Sequence, residues 1–409
     1  VKGVGLRGRA LQLAAAVLAA ASSQFAFAPC AAASMHELEG SCAPSAAQLA
    51  ASAAPIGQSA RPCRCGGAGR VPCPEHTAAA CAEEAQFVWC SALASCASCA
   101  GTAFVDCTRC EPPQAAAELA RLRDEKRAAG EKLAQYEREL GRPLKLIESA
   151  NFVLVFELEA LKVERKLRAN HELLHLYAQR LEAARAAWLA ALQASPGDFR
   201  SKTRVFVWAL PRDHEQAALR YCGHSERGGV KLMGVDPVYS TCAGTPLLAD
   251  EEIHRDLLHN LAHLLLSHQI PTAWIGNTGG GWADEGLAHW LELRMTGSAA
   301  SGCNEEQAVQ PDLPRGAWAP AVRKLVASGQ APPFAELLRR NSETLSVDEH
   351  LVAYSAIEYL IERDGPALNR LLKRLRARVP LRDALRETHG LDPLEFEAQW
   401  KAWVQSPPR

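Results

Sequence analysis

The chain reads as an α+β protein in which a mixed sheet is backed by long helices. Three observations lead there. The runs "NFVLVF" (151–156) and "TRVFVWAL" (203–210) have the β-branched and aromatic composition of buried strands, and about forty residues of helical pattern separate them, ending at "SPGD". "DEEIHRDLLHNLAHLLLSH" (250–268) and the tail around "AYSAIEYLIERDGPALNRLLKRL" keep apolar residues three and four apart, as amphipathic helices do. Of the 14 cysteines, nine fall between Cys63 and Cys110, which sets a small Cys-rich module ahead of the larger domain.

Taken in order, the N-terminus has the layout of an export signal. Lys2, Arg7 and Arg9 precede the apolar run "ALQLAAAVLAAASSQFAFA", and small residues follow around Ala31 to Ser34. The expectation is a signal peptide over 1–33 and a periplasmic, cell-surface or secreted protein; a retained membrane anchor is the competing reading. An Ala/Ser/Pro-rich linker occupies 34–60, and the Cys-rich module 61–112. The segment 113–145 carries Leu119, Leu122, Ala129, Leu133, Tyr136 and Leu140 as a narrow seam interrupted by Lys126, which predicts a connector helix lying on its own protein or pairing with a second copy. The larger domain spans 146–300, and 301–409 forms a helical C-terminal part. With 45 Lys+Arg against 46 Asp+Glu the net charge is -1, so no basic field favours nucleic acid or an anionic membrane.

Within the module, "CASCAGTAFVDCTRC" sets Cys96 and Cys99 against Cys107 and Cys110 as two CxxC knuckles around a Gly-containing hairpin, four thiolates suited to structural zinc. "CRCGGAGRVPCPEH" repeats the hairpin with Cys63, Cys65, Cys73 and His76, a second candidate site. The stretch resembles the zinc domain of DnaJ-type chaperones, with CxC where that family has CxxC. A disulfide framework is the alternative in an oxidising compartment.

Two pentapeptides compete for a metal in the larger domain. "HELLH" (His171–His175) matches HExxH in full but has no suitable third ligand after it, since Glu182 comes too soon. "HNLAH" (His259–His263) lacks the glutamate, yet "GGGWADEGLAHWLE" lies about twenty residues on. There Gly279–Gly281 mark a loop, and Asp284 can cap a helix beginning at Glu285 or accept from an imidazole.

This second arrangement resembles the gluzincin metallopeptidases of the HExxH clan, whose second helix with an EGLA-like signature supplies the third ligand. The resemblance runs from about 146 to the C-terminus and implies His259, His263 and Glu285 as zinc ligands, with Asn260 where the family has its catalytic glutamate. A carboxamide accepts no proton near neutral pH, and general acid–base help is worth about 10²–10⁴ in rate. Asp256, one helical turn earlier, is displaced by about 6 Å along the axis and is short for a substitute base.

The expected function is therefore a zinc-binding protein, inactive or weak as a peptidase, that binds a peptide or protein ligand. The alternatives are an active peptidase using an unorthodox base or the His171–His175 motif, and an adaptor working through the Cys-rich module. Tyr239 and Tyr354 are candidates for oxyanion donors or for packing, and His254, His268 and His289 read as helix-face histidines. The basic run "LLKRLRARV" reads as solvated surface.

Overall fold

The computed structural model describes residues 65–406, apart from 66–67, 77–82, 84–85, 109–112, 245–246 and 301–317. The expected signal peptide and linker lie outside the described residues, as do Cys63 and Cys110.

The chain begins with β1 (Arg70–Pro72), β2 (Trp89–Cys90), α1 (Ser91–Ala94) and β3 (Phe104–Asp106), followed by the long α2 (Pro113–Leu140). Next come β4 (Leu146–Glu148), β5 (Phe152–Phe156), the hairpin β6 (Ala160–Val163) and β7 (Lys166–Ala169), then α3 (Asn170–Leu192), β8 (Thr203–Trp208) and α4 (Pro211–Cys222). A second hairpin, β9 (Val230–Leu232) and β10 (Val238–Cys242), leads into α5 (Asp250–His268) and α6 (Gly281–Thr296). The C-terminal part holds α7 (Trp318–Ala327), α8 (Phe334–Leu337), α9 (Val347–Arg376), α10 (Leu381–His389) and α11 (Pro393–Gln405).

One six-stranded sheet organises the fold, in the order β2-β4-β5-β8-β10-β9. β8 runs parallel to both β5 and β10, while β2–β4, β4–β5 and β10–β9 are antiparallel, so the sheet is mixed, as expected. Side chains alternate across it. Phe152, Leu154, Phe156, Val205, Val207 and Tyr239 join the core shared with α3 and α5. Val153, Val155, Phe206, Trp208 and Val238 meet Leu133, Tyr136 and Leu140 of α2 on the other face. The C-terminal half of the connector seam is thus buried on its own sheet, while Leu122 and Ala129 are only half-buried. The lysine that interrupts it is accounted for as well: Lys126 donates its Nζ proton to the Phe87 carbonyl at 2.7 Å, tying α2 to the Cys-rich stretch. That stretch also supplies β2, an edge of the large sheet, and residues Arg61–Arg409 form one compact unit.

Two expectations need correction. The predicted forty-residue helical pattern after β5 starts with a hairpin, so residues 160–169 form β6, β7 and their turn, and the helix begins only at Asn170. The turn Glu164–Arg165 closes the hairpin with Glu164 at φ 54°, a left-handed conformation that no glycine advertised. In the basic tail, Arg376 is 3% exposed and donates to the Leu266 carbonyl at the end of α5, with burial holding its pKa down at about 10. Among the described residues, no helix is long and apolar enough to cross a membrane.

Candidate metal centre

α5 and α6 build the centre, and α9 closes it from behind. His259 and His263 stand one turn apart on α5, so both imidazoles leave the same face. α6 begins at Gly281, four residues ahead of the predicted start. Gly281 donates its N–H to the Arg340 carbonyl at 3.0 Å, and a Cβ there would lie 2.4 Å from the Ser342 nitrogen; only glycine lets the helix start against that strand of backbone. The earlier start places Asp284 inside the first turn of α6, facing α5, and so it does not cap the helix.

The three predicted ligands converge. His259 Nε2 and His263 Nε2 are 3.3 Å apart, and each lies 3.5 Å from a different oxygen of Glu285. An ion with bonds of about 2.0–2.1 Å to nitrogen, tetrahedrally bound, separates two such ligand atoms by about 3.3–3.4 Å. The residues are therefore spaced for a metal ion. All three are essentially out of water, at 0%, 1% and 1% exposure. Both Glu285 oxygens are buried and accept no hydrogen bond, a state that costs free energy unless a cation shares the space. Burial alone would raise the Glu285 pKa, but the facing His263 and His259 imidazoles hold it well below the ordinary carboxylate range.

Each imidazole has a carboxylate on its far side, and that of His263 is hydrogen-bonded to it, the arrangement by which a partner orients a metal-binding histidine. His263 Nδ1 meets Asp284 Oδ1 at 2.8 Å; the other Asp284 oxygen accepts from Trp274 Nε1 at 2.8 Å and from Ser342 Oγ at 2.9 Å. His259 Nδ1 faces Glu292 Oε2 at 3.6 Å, and His289 Nδ1 lies 3.8 Å from the same oxygen. Burial works against ionised Glu292, yet those two histidines bring its pKa down to about 2. His289 Nε2 in turn meets His350 Nδ1 of α9 at 3.0 Å. Glu285, His289 and His350 form a further group of convergent donors, as do His259, His289 and Glu292. His289 is thus part of the centre and not a plain helix-face residue. Glu292 and His350 went unpredicted; Glu292 is one helical repeat beyond Glu285, a signal the sequence does offer, whereas His350 comes from a distant helix.

Asn260 sits in a closed polar knot. Its Oδ1 accepts from Lys231 Nζ at 2.8 Å, and its Nδ2 donates to the Tyr239 hydroxyl at 3.0 Å, to the Asp256 carbonyl at 2.8 Å and to Asp256 Oδ1 at 3.0 Å. Tyr239 donates onward to Asp256 Oδ2 at 2.6 Å. Tyr239 is therefore engaged with a carboxylate, and burial, the largest influence, raises the Asp256 pKa. Tyr354 packs edge-on against Trp318, whose ring lies 4.9 Å from that of His289.

The Cys-rich stretch gathers its donors differently from the predicted quartets. Cys73, His76, Cys96 and Cys99 form one cluster, one pair from each. The Cys73 and Cys96 sulfurs are 3.9 Å apart and Cys99 Sγ is 3.7 Å from His76 Nε2, close to the edges of a tetrahedron with metal–sulfur bonds of about 2.3 Å. Strand register is the cause. β1 and β3 are antiparallel with Pro72 opposite Phe104, so residues just after β1 (Cys73, His76) meet a residue just ahead of β3 (Cys99). Cys107 comes after β3, at the far end of a three-residue ladder about 10 Å long, where its N–H donates to the Gly69 carbonyl at 2.9 Å. The Cys99 backbone N–H, its largest influence, lowers the Cys96 pKa to about 6, while burial pushes Cys99 up to about 11.

At HELLH, His171 and His175 open α3, and Glu172 accepts the Ala169 N–H at 3.1 Å as a helix cap. Cys90 of β2 adds a third donor there. Glu182 instead accepts from Ser149 and Asn151 at 2.6–2.8 Å and pins the β4–β5 turn.

Compared with protein-family models and with curated proteins, the chain matches none.

Proposed function

We propose that this is an exported, gluzincin-like protein that holds zinc at His259, His263 and Glu285, hydrolyses peptide bonds weakly or not at all, and binds a peptide or protein ligand. The observation that carries this is the contrast between three convergent, buried ligands and an Asn260 whose amide is fully engaged with Lys231, Tyr239 and Asp256. Zinc, when bound, would supply a Lewis acid. The residue beside it would have to take a proton, and the carboxamide of Asn260 has no lone pair basic enough to do so.

Ligand binding is supported by β9. It is an edge of the sheet beside α5, carries Lys231 toward Asn260 and leaves Leu232 exposed, with Val235 exposed in the turn that follows. An extended peptide could add to that edge through backbone hydrogen bonds, with the two apolar side chains supplying contact area. The Cys73/His76/Cys96/Cys99 cluster suits a second, structural zinc.

Introducing the missing carboxylate tests the reading. Asn260→Glu in the full chain should raise peptide hydrolysis about 10²–10⁴-fold over the parent. A folded, zinc-loaded variant with no gain would count against it.

A further inference from the structure

We infer that the complete HELLH motif is a structural zinc site, with Cys90, His171 and His175 as ligands, that staples the edge strand β2 to α3. The three donor atoms lie within 4.8 Å of one another. The two imidazoles present Nε2 to Nε2 at 3.1 Å, near the spacing a tetrahedral ion of zinc's size imposes. The sequence hid the third ligand because it comes from the Cys-rich stretch, carried to α3 when β2 pairs with β4 (Cys90 opposite Ile147).

A second observation points to a metal independently of that spacing. His175 is oriented from behind: its Nδ1 meets Glu83 Oε2 at 3.2 Å, so the ring proton belongs on Nδ1 and the lone pair of Nε2 is turned toward His171 and Cys90. This is the carboxylate–histidine pairing that fixes a ligand's tautomer and raises its basicity. The Phe87 ring, 4.9 Å from that of His175, backs the same imidazole.

The site is structural and not hydrolytic for a local reason. Glu172, the motif's carboxylate, closes the helix N-terminus on the Ala169 N–H. Sulfur and nitrogen donors together suit zinc, and with three protein ligands the fourth position falls to a water that Glu172, held at the helix N-terminus, does not reach as a base. β2 is only two residues long, so its hydrogen bonds to β4 are few, and a metal bond from Cys90 to a long helix would hold this edge where backbone pairing alone is weak.

Zinc content of the full chain tests the inference. His171→Ala/His175→Ala should carry one zinc equivalent fewer than the parent; a folded double variant with the parental count overturns the site. Should the double variant fail to fold, Glu83→Gln decides, because that side chain is half exposed (51%) and its loss spares the core. In a competitive chelator titration, one of the parent's zinc steps should weaken about 10–100-fold in Glu83→Gln. Coincident titrations of the two proteins would overturn the assignment.

Discussion

Replacing Asp284 by Asn probes whether the carboxylate behind His263 prepares that imidazole for a metal. Asp284 receives three donors: His263 Nδ1 at 2.8 Å, Trp274 Nε1 at 2.8 Å and Ser342 Oγ at 2.9 Å. An amide of the same shape offers one acceptor oxygen and one donor NH2. If the NH2 faces His263, Nδ1 must accept, the ring proton moves to Nε2, and the lone pair aimed at the metal is lost. If the NH2 faces Trp274, two donors oppose each other, and only the Ser342 hydroxyl can turn to accommodate it. The first outcome costs metal affinity; the second costs about 1–3 kcal/mol of stability for an unmet donor. Removal of such orienting partners typically weakens metal binding 10–100-fold, about 1.4–2.7 kcal/mol. The assay is a competitive chelator titration of zinc on the full chain, read at the equivalent that His263→Ala abolishes. Equal zinc affinity and equal denaturation midpoints for Asp284→Asn and the parent would refute the reasoning.

Gly286→Ala should destabilise the fold by about 1–3 kcal/mol, measured by urea unfolding, because its Cβ would lie 2.6 Å from the Ala353 carbonyl oxygen and force α6 away from α9. Cys73→Ser should remove one zinc equivalent while Cys107→Ser leaves the Cys96/Cys99 cluster loaded, a direct check of the crossed pairing by zinc analysis of the two variants. Acid should weaken the protein through its buried histidines. Burial, aided by Arg185, depresses the His268 pKa to about 4, and its Nε2 accepts from the Arg200 and Ser201 N–H groups. The unfolded chain, with a histidine pKa of about 6.5, binds the proton first. The stabilisation is therefore complete above about pH 6.5 and is lost as pH falls from there toward about 4. His268→Gln should flatten the slope of unfolding free energy against pH in that window; an unchanged slope would show that His268 contributes none of it.

The sequence showed the centre because helical spacing and loop composition are local properties. His259 and His263 are one turn apart whatever the fold, and "GGGWADEGLA" announces a turn and a helix with its acid groups close together. What it could not show depends on register and on distant packing. Cys73 and His76 join Cys96 and Cys99 because Pro72 pairs with Phe104, and no spacing in the chain states that pairing. The hairpin 160–169 reads as helix because "ALKVERKLRA" is rich in helix formers, yet its strands pair and leave α3 to begin at Asn170. His350 and Cys90 reach their histidines only through tertiary contact. Arg376 reads as a surface charge since a basic run on an amphipathic helix usually is one; here the end of α5 covers it.

The seclusion of His259, His263 and Glu285 also bears on traffic to and from the centre. With α6 packed on α9 through Gly286 and the three side chains at 0–1% exposure, neither an ion nor a ligand reaches them through a standing channel. Entry and exit would run through local opening of the helices around the centre, so the frequency of that opening would govern ion exchange and ligand approach alike.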